Sequence, residues 1–113
     1  MDDKQQKGVS SELIAEYYLT KAGYFVYTKK SVQSAVDLVA IKPDTGEVLL
    51  IDVKTASIRM SGEKKGSTIR RVLSEEQKKL GVNFLYVYEN KMCELIAYKD
   101  NVIQTKILNE VLD

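Results

Sequence analysis

A chain of 113 residues is of single-domain size, with room for one core and little left for a second module. Its 17 lysines and arginines against 16 aspartates and glutamates leave a formal net charge of +1, so any nucleic-acid surface must come from local clustering rather than a global excess. One cysteine excludes an intrachain disulfide framework, and the complete lack of histidine excludes imidazole zinc sites and Ser-His or Cys-His nucleophile pairs, leaving carboxylates and lysine as the strong catalytic groups.

The first residues are charged and lack the apolar core of a signal peptide, and no apolar run approaches bilayer length. Together with an unpaired cysteine, this reads as an untargeted protein of a reducing cytoplasm. From Val9, the residues Leu13, Ile14, Tyr17, Tyr18 and Leu19 recur at helical spacing, Ser10 or Ser11 can cap the start, and Gly23 stands where a helix would end. The spacing predicts an amphipathic helix over residues 9 to 22. Residues 24 to 28 are aromatic and β-branched, as in a short strand, and a polar loop follows over residues 29 to 34.

Residues 35 to 41 read as a second strand, Pro43-Asp44-Thr45-Gly46 as a turn, and residues 47 to 53 as the returning strand. Residues 54 to 71 carry Gly62, Gly66 and several Ser and Thr, as a mobile loop would, and here Lys54, Arg59, Lys64, Lys65, Arg70 and Arg71 face only Glu63. This is the local basic patch. Ser74 followed three residues later by Gln77 has the form of a capping box and opens a short helix reaching Leu80 before Gly81. Residues 82 to 88 and 92 to 98 read as strands joined by a turn, the second holding Cys93 in a buried or half-buried position. Asp100 or Asn101 can cap a last helix carrying Val102, Ile103, Ile107, Leu108, Val111 and Leu112. With no internal repeat and no linker, residues 1–113 read as one α/β domain: a central mixed β-sheet flanked by helices, in the order α-β-β-β-α-β-β-α.

The predicted hairpin places Asp37 at the start of one strand and Asp52 at the end of the next, at the same end of the ladder and within reach of one site. Alternation puts Lys54 on the face of Asp52, while Val53 points away with its main-chain carbonyl free to act as a ligand. Phosphodiester hydrolysis without histidine calls for a divalent metal held by hard oxygen donors, and two carboxylates on adjacent strands supply them. A lysine beside them can orient or help activate water, or stabilise charge on a phosphorane-like transition state. An acidic-x-Lys triplet is common by chance. The weight lies in the placement of Asp37 and Asp52 on core strands, where a carboxylate is costly without a partner.

Val36-Asp37, followed by Asp52-Val53-Lys54 and preceded by a helix bearing Glu12, resembles the signature of the PD-(D/E)XK nuclease superfamily. Within it the chain is most similar to the archaeal-type Holliday junction resolvases, through Lys7-Gly8, Glu12, Ala22-Gly23-Tyr24, Asp37-Leu38-Val39-Ala40, Ile51-Asp52-Val53-Lys54-Thr55 and Gln77. Two residues depart from the usual pattern: Val36 stands where proline is common, and Asp52 where glutamate is. The resemblance implies a restriction-endonuclease-like core and a homodimeric, Mg²⁺-dependent endonuclease, with Mn²⁺ substituting, that acts on branched DNA. It implies Asp37 and Asp52 as principal metal ligands with Glu12 accessory and Val53 contributing its carbonyl. Lys54 would be the catalytic lysine and Gln77 an active-site helper, with Ser31 or Ser34 approaching the scissile phosphate.

Simpler readings stand beside these. Glu12 can be a first-turn glutamate favoured by the helix dipole, Gln77 can merely close its capping box, and Ser31 and Ser34 are ordinary loop residues. Arg59, Lys64, Lys65, Arg70 and Arg71 lie just past Lys54, where a DNA backbone would pass, and no base-reading motif accompanies them. A related homing, restriction or repair endonuclease, or a non-catalytic DNA-binding module of the same fold, are the competing functions.

Overall fold

The computed structural model describes residues 3–31, 33–99 and 102–109. Two helices and six strands follow in the order α1 (Asp3–Lys21), β1 (Phe25–Thr28), β2 (Leu38–Lys42), β3 (Glu47–Thr55), α2 (Glu75–Leu80), β4 (Val82–Val87), β5 (Cys93–Lys99) and β6 (Val102–Ile107). The strands form one mixed sheet in simple sequential order. Every neighbouring pair is antiparallel except β3 and β4, which run parallel. A parallel pair cannot be closed by a tight turn, so the chain crosses from the end of β3 to the start of β4 through residues 56 to 74 and α2.

Helix α1 begins earlier than the capping serines suggested. Ser11 lies inside it, buried, with its hydroxyl 2.6 Å from that of Thr55 at the end of β3. A period of 3.6 turns Ser11, Ala15 and Leu19 inward, with Ile14, Tyr18 and Ala22 at their flanks, and leaves Leu13 and Tyr17 on the exposed side. Both had been expected on the apolar face. Gly23, at a φ of 96°, takes the left-handed turn that lets the Tyr24 amide bond back to the Leu19 carbonyl and ends the helix.

Alternation along the strands divides the interior between the two faces of the sheet. Leu38, Ala40, Ile51, Val53, Leu85, Val87, Cys93 and Leu95 pack beneath α1. Phe84, Tyr86 and Ile96 point the other way, covered by Ala56, Leu73 and Tyr88. Helix α2 has the predicted capping box, with Ser74 and Gln77 exchanging hydrogen bonds, and stops at Gly81 in the left-handed conformation. Among the described residues no helix is long and apolar enough to cross a membrane.

Two expectations are corrected. The final element is a strand, not a helix: β6 pairs with β5 from Lys99↔Val102 to Glu94↔Ile107. Val102, Ile103, Thr105 and Ile107 are β-branched, and β5 offers an open edge whose ladder an extended segment completes. Their spacing suits either period, so the sequence alone did not separate the two. Val111, Leu112 and the capping candidates Asp100 and Asn101 lie outside the described residues. The segment after Lys54, expected to be a mobile loop, is instead a hairpin arm. Ile58 bridges to Thr68, the Arg59 amide donates to the Ser67 carbonyl, and that of Gly66 to the Arg59 carbonyl, both at 2.9 Å.

Cys93 is fully buried beneath α1, and burial pushes its thiol up to about 11. A thiol with that value holds almost no thiolate at neutral pH. Iodoacetamide labelling of the native protein at pH 7.5 is expected to run at least about a hundredfold more slowly than in denaturant, as mass spectrometry would read; rapid native labelling would contradict the packing of β5.

Candidate active site

The carboxylates converge because β2 and β3 pair with Leu38 opposite Ile51. The next residues outward, Asp37 and Asp52, are therefore neighbours across the strands. The Asp37 amide extends the ladder by donating to the Ile51 carbonyl at 2.8 Å. Its side chain then turns back over β3, where Oδ2 accepts the Val53 amide at 2.8 Å. The Val53 carbonyl faces the same side as its amide, as in any extended strand. Parallel pairing sets Asp52 beside Phe84 and Lys54 beside Tyr86, which places both on the face opposite α1.

Asp52 is buried and shares a hydrogen bond with Asp37. Its Oδ2 accepts Gln77 Nε2 at 2.9 Å and lies 3.4 Å from Lys54 Nζ. Burial first, and then the bond to Asp37, pushes Asp52 up to about 6 against the opposing pull of Gln77 and Lys54. At Asp37 burial also works upward, but hydrogen bonds from Asp52, from Lys29 and from the Val53 amide outweigh it and hold the group below the ordinary aspartate value. Their surroundings thus push the two acids apart, Asp52 upward and Asp37 downward.

Gln77 closes its capping box and also contacts Asp52. Oε1 closes the capping box on the Ser74 amide, and Nε2 reaches Asp52 and the Ala35 carbonyl. Glu12 approaches from α1 and is joined to the pair through Lys29, whose Nζ lies 2.5 Å from Asp37 Oδ1 and 3.5 Å from Glu12 Oε1. Burial, followed by the charge of Asp37, raises Glu12. Sequence reasoning passed over Lys29. The signal that could have found it is its position at the end of β1, the strand paired with the one that Asp37 precedes.

Ser31 and Ser34 are exposed, and their hydroxyls accept the Gln33 and Val36 amides in local turns. With Lys29 and Asp37 they line an open cleft of about 310 Å³. A second cleft, of about 590 Å³, is lined by Asp52, Val53, Lys54, Arg71 and Gln77. Arg59, Lys64 and Lys65 are exposed on the hairpin arm beyond it. Arg70 has partners within the fold. Its guanidinium is 2.5 Å from the buried carboxylate of Glu94 and 5.1 Å from the Tyr86 ring centre. The Arg71 amide meets the Tyr86 hydroxyl at 2.7 Å, and Thr68 meets that of Tyr88 at 2.9 Å. These contacts fix the base of the arm to β4 and β5.

Hard oxygen donors are what a Mg²⁺-class ion takes, commonly one or two carboxylates with water completing the shell. Asp37, Asp52 and the Val53 carbonyl fit that requirement, since the register of β2 and β3 sets the two carboxylates side by side and the Val53 main chain lies against Asp37. Among the described residues no three acidic groups are arranged as a ready cation cage. Lys29 Nζ stands between Glu12 and Asp37.

No family model matches the chain. The whole architecture resembles the solved structure of a bacterial homing endonuclease, I-Ssp6803I. The TM-score is 0.65 and the likeness takes in 97% of this chain and 80% of that one, at 18% sequence identity. That likeness establishes the fold. In sequence, a stretch of 57 residues is 40% identical to Protein 5.3 of Escherichia phage T7. It takes in 50% of this chain and 47% of that protein, so the chain matches about half of that relative's length.

The raised value of Asp52 fixes the sign of a stability effect. Its folded-state value exceeds the ordinary 3.8, so its contribution is fully present below about pH 4 and is lost as pH rises through about 6. Asp52→Asn cannot ionise and escapes that loss. In EDTA, the stability of the variant relative to the parent is expected to improve by on the order of 2 kcal/mol between pH 4 and pH 7.5. Urea denaturation at both pH values measures it, and a flat difference would contradict a proton carried on Asp52.

Proposed function

We propose that this protein is a divalent-metal-dependent DNA endonuclease that hydrolyses phosphodiester bonds at Asp37, Asp52 and Lys54. The observation that carries the reading is the pairing of two carboxylates across β2 and β3 with a lysine on the same face, on a fold shared with a homing endonuclease. A bound Mg²⁺ or Mn²⁺ would polarise the phosphate and acidify a water. Asp37 and Asp52 would hold it, with the Val53 carbonyl and Glu12 as further donors. Gln77 keeps Asp52 aimed inward. Lys54, with its ammonium beside Asp52, orients the attacking water or stabilises the charge that develops on the phosphorus oxygens. Ser34, in the cleft beside Asp37, would meet the scissile phosphate, and Ser31 the backbone next to it.

The substrate we favour is branched DNA, cut by a homodimer of intracellular, DNA-associated protein, since one small domain offers one site and paired nicks need two. This rests on the run of residues shared with junction resolvases. The likeness to I-Ssp6803I favours a second reading, a homing endonuclease or a related restriction or repair endonuclease that needs no branch. Comparing four-way junctions, linear duplexes and flaps in Mg²⁺ or Mn²⁺ separates the two, and indifference to the branch would remove the resolvase reading. Within whichever substrate is cut, Asp37→Asn, Asp52→Asn and Lys54→Ala are each expected to lower the rate at least about a hundredfold while leaving binding in Ca²⁺ intact. Folded variants that cut like the parent would show the site to be elsewhere.

Arg59, Lys64, Lys65 and Arg71 are the phosphate contacts in this reading, whereas Arg70 serves the arm itself. Lys64→Gln with Lys65→Gln is expected to reduce the dependence of log affinity on log salt by roughly 2 with little change in melting temperature. Arg70→Gln instead lowers the melting temperature, because Glu94 is left buried without its cation. Salt titrations of binding by fluorescence anisotropy, beside thermal melts, check both; an unchanged slope in the lysine variant would take the arm off the DNA path.

A further inference from the structure

Among the described residues Lys29 is the one cation that bridges two of the acidic groups at this site, and nothing in the proposed chemistry employs it. Its Nζ lies between Asp37 Oδ1 and Glu12 Oε1 at 2.5 and 3.5 Å. A divalent ion drawing on those same two carboxylates would need the space that the ammonium fills. Lys54 is placed differently, at 3.4 Å from Asp52 alone and with a more exposed side chain.

We propose that Lys29 is a built-in monovalent cation of the carboxylate cluster, which contests Glu12 and Asp37 with a divalent ion and swings aside when that ion binds. This rests on the metal-dependent reading above. Three features make such an exchange workable. The side chain is about a quarter exposed, so it has a way out. The main chain of Lys29 is fixed independently, its amide donating to the Asp37 carbonyl at 3.3 Å, so the side chain can leave without moving β1. The cleft it borders holds Ser31 and Ser34, and an ammonium released there stays beside a position that suits a phosphate oxygen. Lys29 would thus change partners, from carboxylate to phosphate, as a divalent ion and DNA arrive together. The ammonium satisfies the acids with one charge, and a divalent ion offers two at the cost of partial dehydration.

The test is Mn²⁺ binding to the full chain by calorimetry, without DNA, for the parent, Lys29→Met, Lys29→Gln and Lys29→Arg, with circular dichroism confirming the fold. Removing the ammonium is expected to tighten Mn²⁺ binding about five- to tenfold in both the Met and Gln variants and to lower the melting temperature in EDTA, a loss that Mn²⁺ restores. Lys29→Arg stays near the parent. Unchanged or weaker Mn²⁺ binding in folded Met and Gln variants would overturn the exchange while leaving the metal-dependent reading intact. A parent protein that takes up no Mn²⁺ would bring down both.

Discussion

Two carboxylates on neighbouring strands at the margin of a core cannot both carry full charge without help, because the low dielectric that packing creates magnifies their repulsion and removes the water that would relieve it. The arrangement of this protein around its sheet answers that constraint. Lys29 and Lys54 stand on either side, the Val53 amide and Gln77 donate inward, and no buried side-chain oxygen or nitrogen among the described residues lacks a partner. Four separate segments supply these groups, so the site depends on the complete fold.

The parallel step between β3 and β4 makes this convergence possible. An antiparallel continuation would return the chain at once, whereas the crossover leaves residues 56 to 74 free to build the hairpin arm and bring Gln77 over Asp52. The arm has a fixed base and an exposed tip. Arg70, Thr68 and the Arg71 amide tie the base to Glu94, Tyr88 and Tyr86, and Met60, Lys64 and Lys65 project beyond it. The patch of basic residues thus divides into one cation paired with a buried acid, Arg70, and several that face solvent.

Much of this was legible in the sequence where local chemistry and global packing agree. The Asp37–Asp52 hairpin followed from alternation and a turn ending in Gly46, and α2 followed from Ser74, Gln77 and Gly81, whose demands are met within a few residues. What was missed depends on distant partners. The run from Val102 to Ile107 suits a helix or a strand, and the open edge of β5 decided between them. Lys29 looked like any loop lysine until the sheet brought it to Asp37 and Glu12, and Arg70 looked like its basic neighbours until Glu94 proved to be buried beneath it. Leu13 and Tyr17 matched a helical stripe whose inward direction only the sheet could set.

The double engagement of Gln77 has a thermodynamic side. One amide caps a six-residue helix through its oxygen and holds a buried acid through its nitrogen. The first turn of α2 and the hydrogen bonding of Asp52 thus draw on the same side-chain amide. A helix too short to persist alone is held in part by the acid it serves. A substitution at Gln77 therefore removes a helix cap and a partner of Asp52 in one step.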